Sequence, residues 1–143
     1  ALYRACLHDD QNTIPMWFQE VISSYVSTLN NCPYSYANHW ANARHLMADD
    51  EKAAKVEAAL RAHSPRDAFE GAELALLNYA EKLTLSPGKI TKEDVDLLKS
   101  AGVEDGEILE ANQIIGYFNY VNRLLNGLGV STAGDVVGYY QSD

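Results

Sequence analysis

Apolar side chains recur along this chain with the period of the α-helix, and nowhere do they alternate over the length of a strand. Ile14, Phe18, Val21, Ile22, Tyr25 and Leu29 define one face of a helix that Thr13 caps and Pro15 opens in its first turn. Pro33 opens a second helix to about Met47, and Asp49 or Asp50 caps a third, rich in alanine, that ends near His63. Ser64-Pro65 starts a fourth, reaching about Leu83 with Phe69, Leu74, Leu77 and Ala80 inward. Ser86-Pro87-Gly88 is the clearest turn. Thr91 and Asp94 resemble a capping box for a short helix to about Ala101, which Gly102 terminates. The longest helix spans about Asp105 to Asn126, with Ile108, Ala111, Ile115, Phe118 and Leu125 along one stripe. A last short helix is expected near Ser131–Tyr139, while Leu2–Leu7 reads like the end of a helix. The pattern predicts an all-α fold, a compact helical array of about seven helices with no sheet.

Composition narrows the function classes. No linker or repeat interrupts the 143 residues, so residues 1–143 are read as one domain, with an N-terminus that looks trimmed. A net charge of −9 without any Lys/Arg cluster argues against nucleic acid and against an anionic membrane surface as partners. No apolar run approaches the roughly 18–20 residues that span a bilayer, and no signal peptide is visible. The two cysteines, Cys6 and Cys32, cannot build a disulfide framework, which points to a reducing, cytoplasmic setting.

Chemistry concentrates in Leu29-Asn30-Asn31-Cys32-Pro33-Tyr34-Ser35-Tyr36-Ala37-Asn38-His39-Trp40. With Pro33 at the first helical position, Cys32 falls at the N-cap, where free N–H groups and the helix dipole favour a thiolate. A thiol titrating below the ordinary ~8.5 is therefore expected at Cys32. Ser35 and His39 follow on the same helix face, and a histidine one turn from a hydroxyl or thiol can relay its proton. The same residues also fit a plain structural reading, with Cys32 a small half-buried residue and His39 a core histidine. Cys32 and His39 lack a second pair at ligand spacing, so neither a metal site nor a cofactor is predicted. Glu20 lies opposite the apolar face of its helix, beside Met16, Ser23, Ser24 and Ser27. Periodicity alone reads that position as solvated, or else as part of a helix packed on both sides.

The spacing of Glu20, Cys32, position 35 and His39 matches E-x11-C-x2-C-x3-H. That pattern resembles the alkylhydroperoxidase D-like (AhpD-like) branch of the carboxymuconolactone decarboxylase family. Val26-Ser27-Thr28-Leu29-Asn30-Asn31-Cys32-Pro33-Tyr34 is similar to its peroxidase-related members. So are Tyr79-Ala80-Glu81-Lys82-Leu83-Thr84, Ile90-Thr91-Lys92-Glu93-Asp94-Val95, Ala101-Gly102-Val103 and Tyr117-Phe118-Asn119-Tyr120-Val121-Asn122-Arg123. The resemblance implies an all-α fold, a homo-oligomer, and a thiol peroxidase acting on a small hydroperoxide with a thiol reductant. It also implies that Glu20 and His39 relay protons, that Cys32 is the resolving thiol, and that Glu20 faces the Cys32 helix.

The chain departs from the pattern at the attacking thiol, where it carries Ser35. A hydroxyl cannot be oxidised to a sulfenic acid, so the two-cysteine cycle is closed to the chain as written. Three readings follow. Ser35 is an engineered replacement of a catalytic cysteine; or it is natural and Cys32 serves as the one redox thiol, regenerated by an external thiol; or the protein has left redox chemistry. In the last case it is a decarboxylase-like acid–base enzyme, a Ser35–His39–Glu20 acyl-transfer site, or a non-catalytic oligomer that binds a ligand or senses oxidant.

Overall fold

Ten consecutive residues of one helix, Phe18 to Ser27, are buried, and this sets the architecture. In the computed structural model, which describes residues 1–140, that helix is α2 (Met16–Leu29). Around it stand α1 (Leu2–Leu7), α3 (Pro33–Met47), α4 (Asp50–Arg61), α5 (Gly71–Leu85), α6 (Lys92–Ser100) and α7 (Asp105–Leu128). The described residues thus hold seven α-helices and no strand. α2 packs against α3, α5 and α7 and touches α4. Phe18, Val21, Ile22, Tyr25 and Val26 join Leu60, Leu77, Ile114, Ile115 and Phe118 in one apolar core.

A helix enclosed on all sides must also satisfy the polar face that the wheel points outward. Small serines do this locally. The hydroxyls of Ser23, Ser24, Ser27 and Thr28 donate to the carbonyls of Gln19, Glu20, Ser23 and Ser24, at 2.7–2.9 Å. Their small volume lets α3 and α7 approach closely. Between α2 and α3 the chain turns at Asn31, whose φ of 49° lies in the left-handed region that asparagine tolerates. The Cys32 N–H closes this turn by donating to the Ser27 carbonyl at 2.9 Å. Cys32 then takes the N-cap position and Pro33 the first helical one, as the sequence indicates.

Three expectations about elements need correction. Thr13 does not cap α2: the cap position is Pro15, and the Thr13 amide and hydroxyl donate to Glu110 of α7 instead. No helix starts at Ser64-Pro65. Residues Pro65–Asp67 close a single 3-10 turn, and α5 begins at Gly71, whose φ of +56° breaks helical continuity. No helix forms over Ser131–Tyr139 either. There the amides of Gly138 and Tyr139 donate to side chains of α3, outside any helical ladder. No helix of the described residues is long and apolar enough to cross a membrane.

Candidate active site

The polar face of α2 meets α3 along the stripe that carries Cys32, Ser35 and His39. Glu20, with no exposed surface, places its Oε2 2.6 Å from His39 Nδ1. The second carboxylate oxygen, Oε1, accepts from the Asn42 amide at 3.2 Å. Both oxygens of a wholly buried carboxylate are therefore engaged, which is what makes its burial tolerable. The outward placement that the helical wheel implies for Glu20 is wrong, and the placement implied by the family resemblance is right. The reason is that α2 is covered on its polar side as well.

His39 is held on three sides. Glu20 fixes Nδ1, and the edge of the ring packs on Phe118 with centroids 4.5 Å apart. Tyr3 lies across from it at 6.1 Å. The imidazole keeps 15% of its side-chain surface exposed, and Nε2 makes no hydrogen bond to the described residues. That leaves one ring nitrogen anchored to a carboxylate and one available for proton exchange, the arrangement of an oriented acid–base group. Burial, followed by the charge of Glu20, holds the Tyr3 phenol well above its usual range.

Ser35 is drawn away from His39. Its hydroxyl is 2% exposed and lies 2.8 Å from that of Ser27. Ser27 has one proton, which its own helix carbonyl at Ser23 takes at 2.8 Å, while the Asn122 amide donates to its oxygen at 3.2 Å. Ser35 is then the donor in the pair, and no hydrogen bond joins it to His39 among the described residues. A Ser35–His39–Glu20 acyl-transfer relay is not assembled in this geometry.

Cys32 does not meet the expectation of an acidified thiol. The side chain is 1% exposed, and burial pushes the thiol up. The Ser35 N–H at the start of α3 pulls the other way, more weakly. The N-terminal amide is present as the sequence implies, yet desolvation of the charge wins. A groove of about 270 Å³, lined by Ser27, Thr28, Asn31, Pro33, Tyr36 and Arg61, reaches the cysteine from the α4 side. Cys32 and His39 are seven residues apart, roughly 10 Å along the helix axis, so Ser35 is the residue between them.

Sequence reasoning assigned no role to Ser27, Asn42 or Asn122. Asn42 follows His39 by three residues on the same face, which is a usable signal. Asn122 sits on α7, and nothing local connects it to Ser27. Its Oδ1 is buried with no hydrogen-bond partner among the described residues.

Comparison with protein-family models finds no match, and comparison with curated proteins finds none either. Solved structures do match. An uncharacterized peroxidase-related protein from Silicibacter sp. TM1040 is 23% identical, with a TM-score of 0.78 over 91% of this chain. An uncharacterized peroxidase-related protein from Ralstonia eutropha JMP134, described as an alkylhydroperoxidase AhpD core, gives 20%, 0.78 and 88%. A cysteine-to-alanine form of the debrominase Bmp8, in complex with 2,3,4-tribromopyrrole, gives 21%, 0.74 and 91%. The chain spans 65% of the first protein and 64% of the second, just under two thirds of each. The arrangement of helices around α2 is the AhpD-like fold of these peroxidase-related proteins.

Proposed function

We propose that the site supports thiol-dependent reduction of small hydroperoxides, with Cys32 as the redox thiol and the Glu20–His39 pair as the proton relay. The observation that carries this reading is the buried 2.6 Å contact between Glu20 and His39, on the α3 face that also bears Ser35 and Cys32. The Cys32 thiolate attacks the outer peroxide oxygen and the O–O bond breaks. The sulfur becomes a sulfenic acid, and the departing alkoxide takes a proton supplied through His39. One external thiol condenses with the sulfenic acid, releasing water and leaving a mixed disulfide. A second thiol attacks the first thiol's sulfur in that mixed disulfide, which frees Cys32 as a thiolate and releases the two external thiols joined as a disulfide. Without a second cysteine at position 35, both reducing equivalents come from outside.

On this reading turnover by the chain is slow. The thiol is buried and poorly ionised, and Ser35, between it and the imidazole, is tied to Ser27. Peroxide loss with an excess external thiol tests the reading on three forms: the chain as written, Ser35→Cys and Cys32→Ser. Ser35→Cys is expected to raise turnover by roughly tenfold or more, because a thiol there sits one helical turn from His39. Cys32→Ser is expected to abolish the sulfenic acid that a trapping reagent and mass spectrometry detect in the chain as written. Absence of turnover in both the chain as written and Ser35→Cys would overturn the proposal. It would leave Glu20–His39 as a redox-free acid–base pair of the decarboxylase kind.

A further inference from the structure

After α7 ends, residues 131–140 turn back across α3 as irregular chain. Two successive amides dock on it: Gly138 N–H donates to Asn38 Oδ1 at 3.0 Å and Tyr139 N–H to Asn42 Oδ1 at 2.6 Å. On α3 the two asparagines are one turn apart, Asn38 just before His39 and Asn42 three residues after it, and they lie together on one side of the imidazole. Asn42 is used at both ends, since its amide nitrogen is the donor to Glu20 Oε1. One side chain therefore ties the returning segment to the buried carboxylate.

Aromatic contacts repeat the pattern. The Tyr140 ring lies parallel to that of His45, 2° between planes and 5.3 Å between centroids. Tyr139 lies 6.0 Å from His8, which lies 5.0 Å from Tyr3, the residue that covers His39. The phenols of Tyr3 and Tyr140 are both pushed up, first by burial and then by the charge of Glu20.

Gly138 shows how closely the segment is seated. Its φ of +92° is one that other residues rarely adopt, and an added Cβ would meet Ala41 Cβ at 3.1 Å and Asn42 Oδ1 at 3.4 Å. The outer surface is nonetheless open, with Val136 72% and Tyr139 71% exposed. A segment held by a few hydrogen bonds and ring contacts, with its apolar side chains in water, opens at low cost.

We propose that residues 131–140 form a strap that closes the approach to His39 and lifts to admit a substrate, with Asn42 linking strap position to Glu20. This rests on the reading of Glu20 and His39 as the working acid–base pair. The test acylates the full chain with diethyl pyrocarbonate and follows each histidine by mass spectrometry. His63, exposed beyond the end of α4, is the internal reference. Gly138→Ala and, separately, Asn38→Ala are expected to speed acylation of His39 and His45 by roughly threefold or more, with His63 unchanged. An unchanged rate at His39 in both variants, or an equal gain at His63, overturns the proposal. No turnover is measured, so failure of the peroxide chemistry and failure of the strap give different results.

Discussion

A carboxylate with no exposed surface survives in a protein interior only when its oxygens are all occupied, and Glu20 meets that condition through His39 and Asn42. Truncating it leaves an imidazole and an amide with nothing to bind, inside a helix pair packed around them. Glu20→Ala is expected to lower unfolding stability by about 3 kcal/mol, the low end for a broken buried pair. The low end applies because His39 keeps 15% of its side-chain surface in contact with solvent. Urea denaturation measures this, and a loss within a few tenths of a kcal/mol would show that the pair contributes nothing. Cys32 shows the same balance with the opposite result. Its helix-start amide favours a thiolate, but the enclosed sulfur loses more by desolvation than that amide returns.

The helices are placed by cross-chain contacts that no single segment contains. Glu110 of α7 accepts from the Thr13 N–H at 2.8 Å, the Thr13 hydroxyl at 3.1 Å and the Ile14 N–H at 2.9 Å. One carboxylate thereby fixes where the loop enters α2 and how α2 lies on α7. Glu110→Ala is expected to cost about 1.5 kcal/mol, the lower range for hydrogen bonds to a charged group, because Glu110 is only half-buried. Thermal unfolding checks it, and an unchanged midpoint would mean that water replaces those bonds without loss. The strap is the opposite kind of element. It has no ladder of its own and takes its shape from Asn38 and Asn42.

Burial of weak acids across the whole molecule fixes the alkaline limit of its stability. The thiols of Cys6 and Cys32 and the phenols of Tyr3, Tyr25, Tyr36, Tyr79 and Tyr117 are all held above their ordinary values, with burial the largest cause in each. The folded chain then holds these protons more tightly than the unfolded one. Their contribution is complete below the unfolded values, ~8.5 for a thiol and ~10 for a phenol, and declines as pH rises toward the raised folded values. The urea midpoint is expected to fall above about pH 8.5 and to fall more steeply above about pH 10. A midpoint flat to pH 11 or so would contradict the burial of these groups.

Much was legible in the chain because its causes are local. The helical period, the proline openings of α3 and the Thr91–Asp94 capping box all depend on neighbours within a turn or two, and they recur in the structure. The spacing of Glu20, Cys32, Ser35 and His39 likewise marked the α2–α3 seam where Glu20 meets His39. What lay beyond local reach was decided by enclosure and by long-range partners. Glu20 turns inward because α3 and α7 cover the polar side of α2, and Thr13 leaves its cap for a carboxylate far along the chain. Asn42 and Asn122 acquire their places only when three helices meet. Local sequence determined which helices form and which residues carry reactive groups. The tertiary structure decided which of those groups lose water and which find partners, because desolvation depends on everything packed around an atom and not on its neighbours in the chain.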